Sequence, residues 1–261
     1  MATFGDTPTE PAGPTQPTEQ PAGRRQRPIA LVTGATSGIG RAAAVRLAAD
    51  GFEVLVHGRD AERGAAVVEE IEQAGGHAGF LAADLEDPAA AERVAEAAAD
   101  AQVLVNNAGF SWFGPSRDLP AATFDALFSA NVRAAYYLTV ALAPRMAERG
   151  TGSIVNLGSM AGQIGLPAGA AYGATKAALA ALTRAWSAEF SPSGVRVNTV
   201  SPGPVYTGAA RERTTALGKT TLLGRAAEAE EIAEAIAFLA SDRASYLTGS
   251  VLTVDGGRSA V

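Results

Sequence analysis

Between Ile29 and Gly257, short apolar runs that stop near glycine alternate with longer stretches whose apolar residues recur at helical spacing. "IALVTG" (29–34) precedes "IGRAAAVRLAADG" (39–51), "FEVLVHG" (52–58) precedes "AERGAAVVEEIEQAGG" (61–76), and "HAGFLAADL" (77–85) precedes "AAAERVAEAAAD" (89–100). "AQVLVNNAG" (101–109) leads into a long helical segment near Ala122–Arg149, and "GSIVNLGS" (152–159) into a helix over Ala171–Phe190. "GVRVNTVSPG" (194–203) comes before the helical "EAEEIAEAIAFLAS" (228–241), and "SVLTVDGG" (250–257) closes the series. Short apolar runs punctuated by glycine predict strands, and the longer periodic stretches predict helices. Strands separated by helices require βαβ crossovers. The pattern therefore predicts a single α/β domain over residues 28–261, a doubly wound parallel sheet of about seven strands with helices on both faces. In such a sheet ligands bind beyond the carboxyl ends of the strands, where strand order reverses. Chemistry is therefore expected in the segments after the first, fourth, fifth and sixth strands.

Composition removes several classes of function. The 261 residues carry a net charge of −6, with 47% hydrophobic and 18% charged side chains, so no basic face is expected for nucleic acid or an anionic membrane. There is no cysteine and there are two histidines, His57 and His77, which rules out thiolate chemistry and leaves no metal site to expect. Residues 1–27, rich in Pro, Thr, Gln and Gly, are expected to form a disordered tail. No apolar run reaches membrane-spanning length and the first residues lack an apolar signal core, so a cytoplasmic protein is expected.

"TGATSGIG" (Thr33–Gly40) joins the first strand to the first helix. Gly34 permits a tight turn, Gly38 lets the backbone approach a ligand, and Gly40 allows close helix–strand packing. The N–H groups at the helix start then suit a pyrophosphate. The spacing T-G-x-x-x-G-x-G resembles the glycine-rich turn of the short-chain dehydrogenase/reductase family, a Rossmann-type fold. The resemblance runs from about Ile29 to Gly257 and takes in Asp84–Leu85, "NNAG" (Asn106–Gly109), Asn131, Ser159, Tyr172 with Lys176, and "PGPVYT" (Pro202–Thr207).

The resemblance implies a cofactor site of Gly34, Thr36, Ser37, Gly38, Ile39, Gly40, Asp84, Leu85, Asn106, Ala108, Gly109, Tyr172, Lys176, Pro202, Gly203, Val205 and Thr207. The second strand ends "VLVHGRD", with Gly58 where NAD-binding proteins tend to carry an acid, and with Arg59 next. A guanidinium binds a 2′-phosphate that a carboxylate would repel, so NADP(H) is expected over NAD(H). Tyr172 and Lys176 stand one helical turn apart. A free phenol, with a pKa of about 10, is a poor proton donor near neutrality, and a neighbouring ammonium is expected to lower it. The resemblance makes Tyr172 the proton donor to a carbonyl and Lys176 its partner. It also implies Asn131 as support for a water-linked relay. Ser159, at a strand end, is expected to hydrogen-bond the substrate oxygen.

Phe110, Trp112, Met160, Gln163, Ile164 and Tyr206, with Phe113 and Leu166, are expected to wall an apolar cleft for a hydrophobic ketone or secondary alcohol. A lid is expected near residues 205–224, hinged at Gly208 and Gly218. The chain most resembles the 3-oxoacyl-carrier-protein reductase branch, but Gly150 and Ser193 stand where that branch uses arginines to dock its carrier, with Arg145 and Arg149 nearby. A carrier-bound or a free substrate both fit at this stage. So do a non-catalytic NADP-sensing protein, and an epimerase or dehydratase that uses the cofactor transiently. The resemblance further implies a homotetramer that packs through the long helices near Ala122–Arg149 and Ala171–Phe190.

Overall fold

The computed structural model describes residues 27–208 and 211–260. The tail expected over residues 1–27 lies outside them, Arg27 apart. The chain runs β1 (Ile29–Val32), α1 (Gly38–Ala49), β2 (Glu53–Gly58), α2 (Ala61–Gln73), β3 (His77–Ala82), α3 (Pro88–Ala97) and β4 (Ala101–Asn106). It continues with α4 (Ala121–Phe128), α5 (Ala134–Glu148), β5 (Gly152–Leu157), α6 (Ala170–Phe190), β6 (Val195–Pro202), β7 (Val205–Tyr206), α7 (Arg211–Gly218), β8 (Ala227–Glu228), α8 (Ala229–Ala240) and β9 (Val251–Val254). Seven strands pair in parallel in the order β3-β2-β1-β4-β5-β6-β9. Order reverses between β1 and β4, so the loops that follow them diverge and leave a crevice.

Alternation along each strand divides the core in two. Ala30, Val32, Val103, Val105 and Val155 face one way and pack on Leu47 of α1, Ile71 of α2 and Ile236 of α8. Leu31, Leu104 and Ile154 face the other way and pack on Val94 of α3, Leu142 of α5 and Trp186 of α6. Both faces are covered, which is why the strands carry near-continuous apolar runs.

Two departures from the expected elements matter. The long helical segment near Ala122–Arg149 is not one helix: residues Ser129–Arg133 form a wider π-helical turn between α4 and α5. Asn131 lies inside this turn, and its amide holds the loop after β4, in keeping with the occurrence of π turns at functional sites. Second, β7 and β8 form a small parallel pair that anchors the segment after β6 to the start of α8. Two residues per strand are too few to leave a pattern in the sequence. The outward faces of α5 and α6 leave Tyr136, Tyr137, Ala174, Ala177, Ala181 and Ala185 exposed, on the helices that the resemblance assigns to subunit contacts. No helix among the described residues is long and apolar enough to cross a membrane.

Candidate active site

The glycine-rich turn is shaped for a ligand's phosphates. Gly34 and Gly38 adopt φ of +62° and +52°, conformations that glycine reaches without strain. A Cβ at Gly40 would overlap the Gly34 carbonyl. Ser37 leads into α1 without a side-chain cap, so the first N–H groups of the helix are left for a ligand. Asn107 holds this turn in place. Its Nδ2 donates to the Thr33 and Gly34 carbonyls at 2.8 and 3.0 Å, and Thr33 Oγ1 accepts from the Asn107 and Ala108 N–H groups at 3.0 Å.

His57 supports the same turn from below. It is buried at the end of β2, where Nδ1 accepts from the Gly34 N–H at 3.4 Å and Nε2 donates to the Ala83 carbonyl at 3.2 Å. This pairing places the proton on Nε2 and keeps the ring neutral. Burial pushes its pKa down to about 4, against weaker upward pulls from the Ala83 carbonyl and Asp84.

Three cavities share walls and form one trough. The first, about 370 Å³, is lined by Gly34, Thr36, Ser37, Arg59, Asp84 and Leu85 among others. The second, about 440 Å³, shares Gly34, Ser37, Ala108, Gly109 and Phe110 with it and reaches Gly38, Ile39, Gly40, Tyr172, Lys176 and Thr207. The third, about 480 Å³, shares Ile39, Tyr172 and Thr207 with the second and adds Ser159, Met160, Pro202, Gly203 and Val205. The trough thus runs from Arg59 at one end, along the open helix terminus, to Tyr172 and Ser159. Its first two parts fit an extended dinucleotide.

Asn106, expected against a cofactor, is not on this trough. Residues alternate along β4, so Asn106 shares the face of Leu104 and points into the core. There its Nδ2 donates to Thr139 Oγ1 at 3.1 Å and to Asn156 Oδ1 at 2.9 Å. Its neighbour Asn107 takes the position at the turn.

At the reacting end, the Tyr172 ring packs edge-on against Phe113 with centroids 5.5 Å apart. The Lys176 ammonium lies 5.7 Å from the Tyr172 ring centre and donates to the Leu157 carbonyl at 2.8 Å. The expected lowering of the phenol by this ammonium is not what the geometry gives. Burial pushes the Tyr172 phenol up, and the Ser159 hydroxyl pulls it part of the way back. Burial also pushes Lys176 down, to about 8. The ammonium sits over the ring instead of at the hydroxyl, so desolvation outweighs Coulomb attraction for both groups. Ser159 Oγ accepts from the Ala161 N–H at 3.2 Å, and its hydroxyl hydrogen-bonds the Tyr172 phenol, so the two hydroxyls stand side by side in the cleft.

Asn131 is fully engaged with protein groups. Its Oδ1 accepts from the Phe110 N–H and its Nδ2 donates to the Phe110 carbonyl, both at 2.9 Å, and to Thr175 Oγ1 at 3.0 Å. Its side chain makes no bond to Lys176 among the described residues. It is a positioning residue that ties the loop after β4 to α6, one residue before Lys176.

The cleft walls differ most from expectation. Of the six expected wall residues only Met160 lines the cleft, together with Phe113 and Leu166. Phe110 lies along the dinucleotide part of the trough. Trp112 folds back over Gly114. Gln163 bridges Ser201 Oγ at 2.7 Å and Thr253 Oγ1 at 3.2 Å, and Ile164, next to it, does not line the cleft either. Tyr206 lies between Val205 and Thr207 in extended chain, so it faces away. Its ring stacks under the Arg211 guanidinium at 4.5 Å and its hydroxyl meets Thr215 Oγ1 at 3.0 Å. The cleft instead gains Arg213 and Arg258, which the sequence pattern did not single out. Gly218, expected as a hinge, is packed against Ala226, whereas Gly208 has open space and a φ of +138°.

Comparison with known proteins agrees with this geometry. A family model described as enoyl-(acyl carrier protein) reductase matches residues 34–259. A cyclopentanol dehydrogenase from a Comamonas species is 36% identical over 248 residues, covering 91% of this chain and 99% of that protein. A 2-(S)-hydroxypropyl-CoM dehydrogenase from Xanthobacter autotrophicus is 38% identical over 258 residues, with the same coverage of 91% and 99%. Among solved structures, a putative NAD(P)-dependent gluconate 5-dehydrogenase from Beutenbergia cavernae with bound NADP superposes with a TM-score of 0.85. It is 39% identical, and the match covers 90% of this chain and 97% of that one. An angucycline C-6 ketoreductase with bound NADP gives a TM-score of 0.84 at 31% identity, covering 90% and 96%. With the parallel sheet, the glycine turn and the Ser159–Tyr172–Lys176 cluster on one trough, these matches establish that the chain belongs to the short-chain dehydrogenase/reductase family.

Proposed function

We propose that this oxidoreductase uses NADP(H) to interconvert a free ketone and a secondary alcohol, with Tyr172 as the proton donor in reduction. The observation that carries the reading is the position of Tyr172 on the wall shared by the dinucleotide groove and the cleft, with Ser159 and Lys176 beside it. NADP(H) would be held along the glycine turn, Arg59 and Lys176, and would supply the hydride for the carbonyl carbon. The protein's own groups handle the oxygen. Ser159 donates a hydrogen bond to it and stabilises its developing charge. Tyr172 delivers the proton, and burial keeps the phenol protonated, which suits an acid in the reductive direction. Lys176, pushed by burial to about 8, lies over the Tyr172 ring and is held on the Leu157 carbonyl, where its charge faces the nicotinamide side of the trough.

The preference for NADP(H) is supported by the trough's far end, where Arg59 and Arg63 both line the wall and Gly58 offers no acid. Arg59 is loosely held, 3.8 Å from Asp84, and both side chains are exposed. A Cβ at Gly58 would collide with Thr36 Cγ2, so the carboxylate typical of NAD sites has no room unless Thr36 changes too. NADP in two of the similar structures points the same way. A free substrate is favoured because Arg145 is paired with Glu96 at 2.7 Å and Arg149 donates to the Ala99 and Ala101 carbonyls. Both sit toward the amino ends of the strands, away from the cleft.

The test is a ketone panel followed at the nicotinamide absorbance with NADPH and with NADH. The wild type is expected to favour NADPH. Arg59→Gln should raise the KM for NADPH about tenfold or more while leaving that for NADH within about twofold, since a charge-assisted hydrogen bond contributes roughly 1.5–3 kcal/mol. Equal losses with both cofactors would remove Arg59 from the 2′-phosphate site.

A further inference from the structure

We propose that the substrate cleft selects ketones that carry an anionic group, held by Arg213 and Arg258. This rests on the ketoreductase reading and names the class of substrate.

The protein has 27 acidic and 21 basic residues, yet among the described residues no acidic side chain lines the cleft, whereas two arginines do. They come from separate parts of the chain. Arg213 belongs to α7, over the cleft, and Arg258 follows the glycine pair after β9. The two segments are tied together, because the Leu223 N–H beyond α7 donates to the Gly256 carbonyl at 3.1 Å. Arg213 also connects to the reacting centre: its guanidinium carbon lies 4.6 Å from the centre of the Phe113 ring, and that ring packs on Tyr172. The stacking fixes the guanidinium plane at one side of the cleft.

Neither guanidinium is ion-paired among the described residues, whereas Arg41, Arg46, Arg63, Arg145 and Arg225 each hold a carboxylate. Asp255, the acid nearest in sequence to Arg258, is spent on the Gly257 and Ser259 N–H groups, each at 2.8 Å. Two uncommitted guanidiniums beside the apolar walls of Met160, Leu166 and Leu217 suit a molecule with an apolar stretch and an anionic end. Guanidinium forks match carboxylate and phosphate alike. Arg213 and Arg258 line the Ser159 end of the trough and Arg59 the opposite end, so the anion is distinct from the 2′-phosphate group.

The experiment compares a medium-chain oxo acid with its methyl ester under NADPH. The wild type is expected to favour the acid in kcat/KM by about tenfold or more, through KM, and added salt should shrink the ratio. Arg213→Gln with Arg258→Gln should bring the ratio toward one. Arg213→Gln alone, on an exposed helix, should bring it part of the way and keeps the test open if the double variant folds poorly. Parity in the wild type, or a preference that survives the substitutions, overturns the proposal. A second arm titrates a saturated carboxylate and an alkyl phosphate of the same chain length into the protein by calorimetry. Arginine-dependent binding of either upholds the anion site and tells which anion it takes, whereas arginine-independent binding of both, or binding of neither, overturns it. If no ketone is turned over at all, the ketoreductase reading fails while the calorimetric arm still decides the anion site.

Discussion

Tyr172→Phe is expected to lower kcat for ketone reduction by about 10²- to 10⁴-fold, the usual contribution of a positioned general acid. The substitution removes only the hydroxyl. The ring keeps its edge contact with Phe113, and the Lys176 ammonium still lies over its face and still donates to Leu157. Protein stability and the dissociation constant for NADPH should therefore change little, so the loss falls on the chemical step. Steady-state kinetics beside a thermal melt and a cofactor titration separate the two. A variant that keeps wild-type kcat on a good substrate would remove Tyr172 from the role of acid. One that loses NADPH binding to the same extent as activity would make the tyrosine a binding group.

The second large effect concerns His57. Its folded pKa, about 4, lies below the ordinary value of 6.5. Above pH 6.5 the ring is neutral in folded and unfolded chains alike, and it makes no pH-dependent difference. As pH falls from 6.5 toward 4, the unfolded chain takes up a proton that the folded protein refuses, and folding stability declines. The loss attributable to His57 between pH 7 and 4.5 is about 2.5 kcal/mol. Protonating Nδ1 also removes the acceptor for the Gly34 N–H, so the glycine turn loosens together with the fold. His57→Gln, which keeps a donor and an acceptor without the titration, should flatten the acid limb of a denaturant-derived stability profile by about that amount. Parallel profiles for wild type and variant would show that His57 is not the titrating group.

Much of this fold could be read from periodicity, because the central strands β1, β4, β5 and β6 are buried on both faces and helices such as α2 and α8 carry one apolar stripe. The seven-stranded sheet, most of its helices and the glycine turn followed from that, but not the π turn at Ser129–Arg133 or the β7–β8 pair. The reacting residues could be found because their neighbours in sequence are distinctive, as with "YGATK" and the Ser159 strand end. What failed were side-chain directions and local pKa values. Asn106 was assigned to the wrong side of β4, though the alternation of Val103, Leu104 and Val105 carried the signal. Tyr206 was misplaced for the same reason, one step along extended chain from Val205. Trp112 and Gln163 could not be foreseen, because loop residues follow contacts with distant segments and leave no periodic trace. The shift at Tyr172 required a distance: spacing put the lysine on the same helix face, but only the fold shows it bonded to the Leu157 carbonyl. His57 meets Gly34 and Ala83, and Arg258 reaches the cleft beside Arg213, through contacts between segments far apart in sequence, which no local pattern encodes.

The central claim is hydride transfer between a nicotinamide and a carbonyl carbon at Tyr172. Its most direct measurement uses NADPH deuterated at the transferring position, with a ketone found in the panel, and mass spectrometry of the alcohol. NADPH is expected to be consumed in equal amount to alcohol formed, and each alcohol to carry deuterium on the carbinol carbon. Alcohol without deuterium, or product formed with no net loss of NADPH, would contradict it.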